Sequence, residues 1–72
     1  MEIVPSHPLL TVRENEVAHA LARGMTPREI AGELKLSTKT VDSHRLNLLK
    51  KLHCKNTVSL ALLFVREGLL TP

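Results

Sequence analysis

Apolar residues recur along this chain at helical spacing, and no stretch alternates apolar with polar as a half-buried strand would. On a helical wheel Val17, Ala18 and Leu21 share one side, as do Ile30, Ala31 and Leu34. Val41, Leu48, Leu49 and Leu52 make a third apolar side. Start and stop signals frame each run. Thr11 with Glu14, and Thr26 with Glu29, have the spacing of a capping box, in which the hydroxyl takes an amide three residues on and the carboxylate reaches back. Pro27 suits a first helical position, and Gly24 and Gly68 suit left-handed stops. Ser37 and Asn56 are the caps expected for the last two helices. The pattern predicts an all-α fold, a compact four-helix domain over 9–72 with helices at about 12–23, 27–34, 38–52 and 57–67. Residues 1–8, with two prolines and no periodicity, are expected to be a flexible arm or linker stub.

The last two helices raise different questions. In the third, Lys39, Asp42, Ser43, Leu46 and Lys50 lie opposite the apolar side, so hydrogen-bonding groups crowd one face. The fourth, TVSLALLFVRE, is apolar nearly all round. Val58, Ala61, Leu62 and Val65 suffice to pack inward, which leaves Leu60, Leu63 and Phe64 as a face for a second copy of the chain. In a longer parent protein another domain would cover that face instead.

Charge sharpens the picture. The formal net charge is only +3. Residues 1–34 hold three Arg and five Glu, and residues 56–72 hold one Arg and one Glu. The surplus therefore lies in residues 35–55, where five Lys and Arg45 face only Asp42. One basic window of this kind is the footprint of a polyanion partner, although a solvated Lys-rich surface would look the same. Phe64 is the only aromatic, so the chain lacks the stacking platforms of single-strand and RNA readers. With 72 residues it is near the lower limit for folding without disulfides or metals. The lone Cys54 can form no internal disulfide, and the N-terminal MEIVPSHPLL is no signal peptide. No apolar run approaches a membrane span, so the expected location is cytoplasmic. His44, His53 and Cys54 lack a second ligand pair at zinc spacing. Neither a phosphate-binding glycine loop nor a Ser-His-Asp set is present. We expect no catalytic residues, metal, cofactor or small-molecule ligand.

A short helix, a turn of three or four residues and a longer basic helix describe a helix-turn-helix, whose second helix lies in the DNA major groove. At this point the chain resembles the DNA-binding domain of the LuxR/GerE family of bacterial transcription regulators. The resemblance covers roughly Pro8 to Leu70 and rests on LTVRENEV, GMTPREIAGELKLS and TKTVDSHRLNLLKKL, in that order. It implies a tetrahelical domain that binds double-stranded DNA, usually as a dimer on inverted half-sites. Such a domain is the output module of a response regulator or quorum-sensing receptor, or stands alone at about this size. RNA polymerase is a further partner to be considered. Three positions depart from the family's habit. Asp42 stands where Lys is frequent, His53 where Gly is frequent, and Thr57 where Arg is frequent.

Within that frame Asp42, Ser43, Leu46 and Asn47 are the candidate base contacts. An acid accepts from a cytosine amino group and a Leu meets a thymine methyl, the reading favoured for Leu46 over a chance surface residue. Asn47, at the edge of the face, reaches bases or only the backbone. Arg28, Thr38, Lys39, Thr40, Lys50 and Lys51 are the candidate phosphate contacts. Solvation is the plain alternative for the cations, and local capping for the threonines. Arg45 falls on the core side, and the family analogy gives it an ion pair with Glu14 or Glu16. His44 borders core and groove and is expected to be packed. The rival function is a protein-interaction module that uses the fourth helix to bind a regulator or polymerase subunit. Promoter recognition like that of a sigma factor fits the TVDSH pattern less well.

Overall fold

The computed structural model describes residues 6–70. It contains α1 (Val12–Ala22), α2 (Pro27–Leu34), α3 (Thr38–Lys51) and α4 (Thr57–Arg66), with no strand among the described residues. Both capping boxes close. The Thr11 hydroxyl accepts the Glu14 amide at 3.1 Å while the Glu14 carboxylate accepts the Thr11 amide at 2.9 Å. Thr26 and Glu29 repeat the exchange at the same distances. Ser37 and Asn56 cap α3 and α4 through the amides of Thr40 and Ser59. Arg23, Leu52 and Glu67, read as the last helical residues, are C-caps whose amides still bond back into their helices. The chain leaves each helix at the next residue, where φ turns positive at Gly24, His53 and Gly68.

Helix α1 is the hub, packing on α2, α3 and α4, and α2 packs on α3. The core joins Leu10, Val17, Ala18 and Leu21 to Ile30, Ala31, Val41, Leu48 and Leu49, and is closed by Leu60 and Phe64. Leu52, also expected on the apolar side, is only half-buried at the edge. Burying this set takes its aliphatic side chains and the Phe64 ring out of water, at about 25 cal/mol per Å² of apolar surface. No helix of the described residues is long and apolar enough to cross a membrane.

The orientation of α4 corrects the sequence expectation. Leu60 and Phe64, read as an outward face, are fully buried, and Leu63 is half-buried. Val58, Leu62 and Val65 are instead 67%, 62% and 38% exposed. The reason is packing against α1. There the His19 ring meets Phe64 edge-on, with centroids 5.1 Å apart and planes at 68°. The largest apolar side chain in the helix takes the largest share of the core. An outward stripe of Val58, Leu62 and Val65, at i, i+4 and i+7, remains.

Of the arm expected over residues 1–8, residues 1–5 lie outside the described residues. His7 is tied down by Asn15, a buried side chain the sequence did not single out. The Asn15 Oδ1 accepts the His7 amide at 2.8 Å, and Nδ2 donates to the carbonyls of His7, Leu10 and Thr11. One amide thus satisfies the backbone that enters α1.

Candidate nucleic-acid interface

Helices α2 and α3 are joined by Lys35, Leu36 and Ser37. Leu36 is half-buried against the core, and its amide donates to the Ala31 carbonyl at 2.9 Å, so the turn is locked from inside. Val41, Leu48 and Leu49 pin α3 to the domain. The opposite side is open: Thr38, Lys39, Ser43, Leu46, Asn47 and Lys50 are all exposed. Leu46 is 59% exposed among polar neighbours, an apolar spot on an otherwise hydrogen-bonding surface. Lys39, Ser43, Leu46 and Lys50 follow the i, i+4, i+7, i+11 spacing of one helix face, and Asn47 lies beside them. Arg28 is exposed in the first turn of α2.

Three of the expected roles change once side chains are in place. Lys51, read as a phosphate contact, points back at α1 and donates to the Glu14 carboxylate at 2.7 Å. Its position in the last turn of α3 brings it beside the start of α1 rather than onto the open face. Glu14 is buried, and one of its oxygens serves both the Lys51 ammonium and the Thr11 amide. The hydrogen bond from Lys51, then that from Thr11, hold the Glu14 carboxyl below the usual carboxylate range, against the opposing effect of burial.

Arg45 does not reach Glu14 or Glu16. Its guanidinium lies 3.7 Å from Asp42, one turn back on α3, and Glu16 instead pairs with Arg13 at 3.6 Å. Asp42 is therefore half-buried at the flank of the open face and already faces a cation. An acid so paired is less repelled by phosphates, and it keeps an acceptor oxygen for a base amino group.

The hydroxyl of Thr40 is 2.8 Å from the Ser37 hydroxyl, and its amide donates to the same oxygen at 3.0 Å. Of the two readings open for Thr40, the cap is the one the geometry occupies. His44 is half-buried between core and face.

What the surface can do chemically follows from these positions. Among the described residues no group of three or more His, Cys, Asp or Glu is placed to hold a metal. Cys54, half-buried, has its thiol pushed up by burial, which favours the unreactive protonated form. Lys35, Lys39, Lys50 and Lys55 are exposed and enter no ion pair among the described residues. A rigid helix thus presents donors, acceptors, one apolar contact and flanking cations on a convex surface about 20 Å long, at 1.5 Å per residue. That suits a groove with anionic walls. The Glu14–Lys51 pair was not foreseen because a 37-residue separation leaves no periodic trace. The Asp42–Arg45 pair, one helical turn apart, was passed over because the family analogy directed Arg45 to Glu14 or Glu16.

Comparison with known proteins agrees with this geometry. The model of the GerE family, bacterial regulatory proteins of the luxR family, matches residues 8–64. The chain is 60% identical over 52 residues to the transcriptional regulatory protein UhpA of Salmonella typhimurium, which covers 72% of this chain and 26% of UhpA. It is 45% identical over 62 residues to the uncharacterized response regulatory protein YgeK of Escherichia coli, covering 86% of this chain and 42% of YgeK. The spore germination protein GerE of Bacillus subtilis is 43% identical over 63 residues, which cover 88% of this chain and 85% of GerE. The chain thus spans about a quarter of the length of UhpA and most of the length of GerE.

Proposed function

The chain belongs to the luxR family of bacterial regulatory proteins, and we propose that it binds duplex DNA sequence-specifically with α3 in the major groove. It serves there as the DNA-binding unit, residues 9–72, of a transcription regulator. That unit is either the output end of a response regulator or a stand-alone protein. The observation that carries this reading is the two-sidedness of α3. One side is sealed into the core by Val41, Leu48 and Leu49, and the other is wholly exposed with Lys39, Ser43, Leu46, Asn47 and Lys50 in register.

The roles divide by position. Ser43, Leu46 and Asn47 meet base edges, with Asp42 accepting from the flank while Arg45 steadies it. Lys39, Lys50, Thr38 and Arg28 meet phosphates and supply most of the affinity. Lys51 is left out of that set because its ammonium is committed to Glu14.

Two copies are proposed to sit on inverted half-sites about one helical turn apart. The contact between them is the exposed stripe of α4, Val58, Leu62 and Val65, in place of the buried Leu60 and Phe64. Three apolar side chains make a patch well below the roughly 800 Å² per partner of a stable complex, so the dimer is weak in free solution and assembles on DNA. The same stripe supports the second reading, in which α4 engages a partner regulator or an RNA polymerase subunit. The site of action is the cytoplasm, where a bacterial chromosome lies.

Selection of bound duplexes from a random pool, followed by salt titration, tests the proposal. A symmetric preferred sequence is expected. Lys50→Ala should weaken all duplexes alike and lower the log–log salt slope by about 0.9. Leu46→Ala should leave the slope unchanged and relax one base position by about 1 kcal/mol. No enrichment above background, or silence of both variants, would sink it.

A further inference from the structure

The four helix ends divide in an informative way. After α1 and α4 the left-handed stop is glycine, Gly24 and Gly68, with φ of 93° and 72°. At the two ends that border α3 it is a residue with a side chain: Lys35 (φ 57°, ψ 44°) at the close of α2, and His53 (φ 55°) just past α3. A Cβ crowds the following carbonyl in this conformation, and glycine would relieve that. An outlier of this kind, placed beside a binding helix, raises the question of what its side chain does there.

For Lys35 the surroundings narrow the answer. The amides of Lys35 and Leu36 both donate to the Ala31 carbonyl, so the backbone of the turn is fixed. Leu36 turns inward against the core and Lys35 stays exposed, with no hydrogen bond or ion pair of its side chain among the described residues. The open face of α3 begins at Thr38 and Lys39, three and four residues on. In a helix-turn-helix the first helix crosses the DNA backbone, so the turn that leaves it lies against phosphates rather than bases. The other role open to a cation at this position is to complement the C-terminal dipole of α2, which has no basic residue in its last turn.

We propose that Lys35 is a phosphate clamp: its left-handed backbone is a fixed bracket that holds the ammonium against the sugar-phosphate wall of the groove α3 enters. The inference rests on the duplex-binding reading and adds to it a contact outside α3. Being directed at phosphate, the contact is blind to sequence.

Fluorescence anisotropy of the full chain on a selected duplex and on a scrambled one, across a salt series, decides it. The variants are Lys35→Gly, Lys35→Arg and Lys50→Ala. Lys35→Gly is expected to lower affinity for both duplexes roughly five- to tenfold near 0.1 M salt and to reduce the slope by about 0.9. Its Tm should meanwhile rise by about 2–5 °C as the backbone relaxes. Lys35→Arg should keep the wild-type slope. An unchanged slope and affinity for Lys35→Gly overturn the clamp. A rise in Tm alone would then mark a strained but idle turn, and a fall in Tm a dipole partner. If Lys50→Ala lowers the slope while Lys35→Gly does not, only the clamp fails. If the wild-type chain binds neither duplex, the duplex-binding reading falls and takes the clamp with it.

Discussion

Phe64→Ala is expected to destabilise the protein by about 3–5 kcal/mol, while Leu62→Glu on the same helix should change stability by no more than about 0.5 kcal/mol. Phe64 is fully buried, lies edge-on to His19 and closes the core over α1. Truncation forfeits its transfer free energy and leaves a cavity that the short helices around it can only partly close. At about 0.05–0.15 kcal/mol per residue, a chain of 72 residues has about 4–11 kcal/mol in total, so Phe64→Ala removes a large part of it. Leu62 is 62% exposed, and a carboxylate there stays in water. Its effect is expected on association: sedimentation velocity on DNA should show Leu62→Glu occupying single half-sites where the wild-type chain occupies pairs. Urea unfolding followed by circular dichroism measures the stability half. If Leu62→Glu unfolded the protein and Phe64→Ala did not, α4 would be turned the other way round.

The second large effect belongs to Glu14. Glu14→Ala should cost about 2–3 kcal/mol, because it opens the α1 capping box and leaves Lys51 without its buried acceptor. The same residue gives stability a pH dependence. The native carboxyl titrates below its ordinary value of 4.5, held down first by the Lys51 hydrogen bond and then by the Thr11 amide. Its contribution is therefore complete above that value and is lost as pH falls below it, through the lower native pKa. Glu29, lowered by its own box with Thr26, acts in the same direction from an exposed position. Thermal melts between pH 6 and roughly pH 3 should fall steeply for the wild-type chain and less steeply for Glu14→Gln, with the Glu29 share remaining. Equal slopes for the two proteins would mean that Glu14 is not held as an anion. Lys51→Met should share the stability loss yet keep the wild-type salt slope on DNA, since its ammonium is engaged by Glu14.

These two residues also mark where the sequence was legible. The capping boxes at Thr11 and Thr26 could be read because their partners lie three residues apart, within one turn of helix. The open face of α3 could be read because its two sides differ sharply in polarity, so Val41 and Leu48 leave no doubt about which way the helix turns. Helix α4 offers no such contrast: Val58, Leu62 and Val65 are as apolar as Leu60 and Phe64, and only the shape of the core beside His19 chooses between them. The partner of Lys51 lies 37 residues away on another helix, and Arg45 had three carboxylates within plausible reach. The Lys51 contact depends on how α1 and α3 pack, which periodicity does not encode, whereas Arg45 takes the i, i+3 partner on its own helix that the family analogy passed over. Asn15 looked like an ordinary polar residue of α1 because its carbonyl partners are backbone groups with no identity in the sequence.

The most direct test is an amide chemical-shift titration of the whole chain with a duplex recovered from the random pool. The predicted result is that the largest changes fall on Thr38, Lys39, Ser43, Leu46, Asn47 and Lys50, with smaller ones at Arg28 and in the turn before α3. Large changes confined to Val58, Leu62 and Val65, with the outward side of α3 unmoved, would contradict the placement of that helix in the groove.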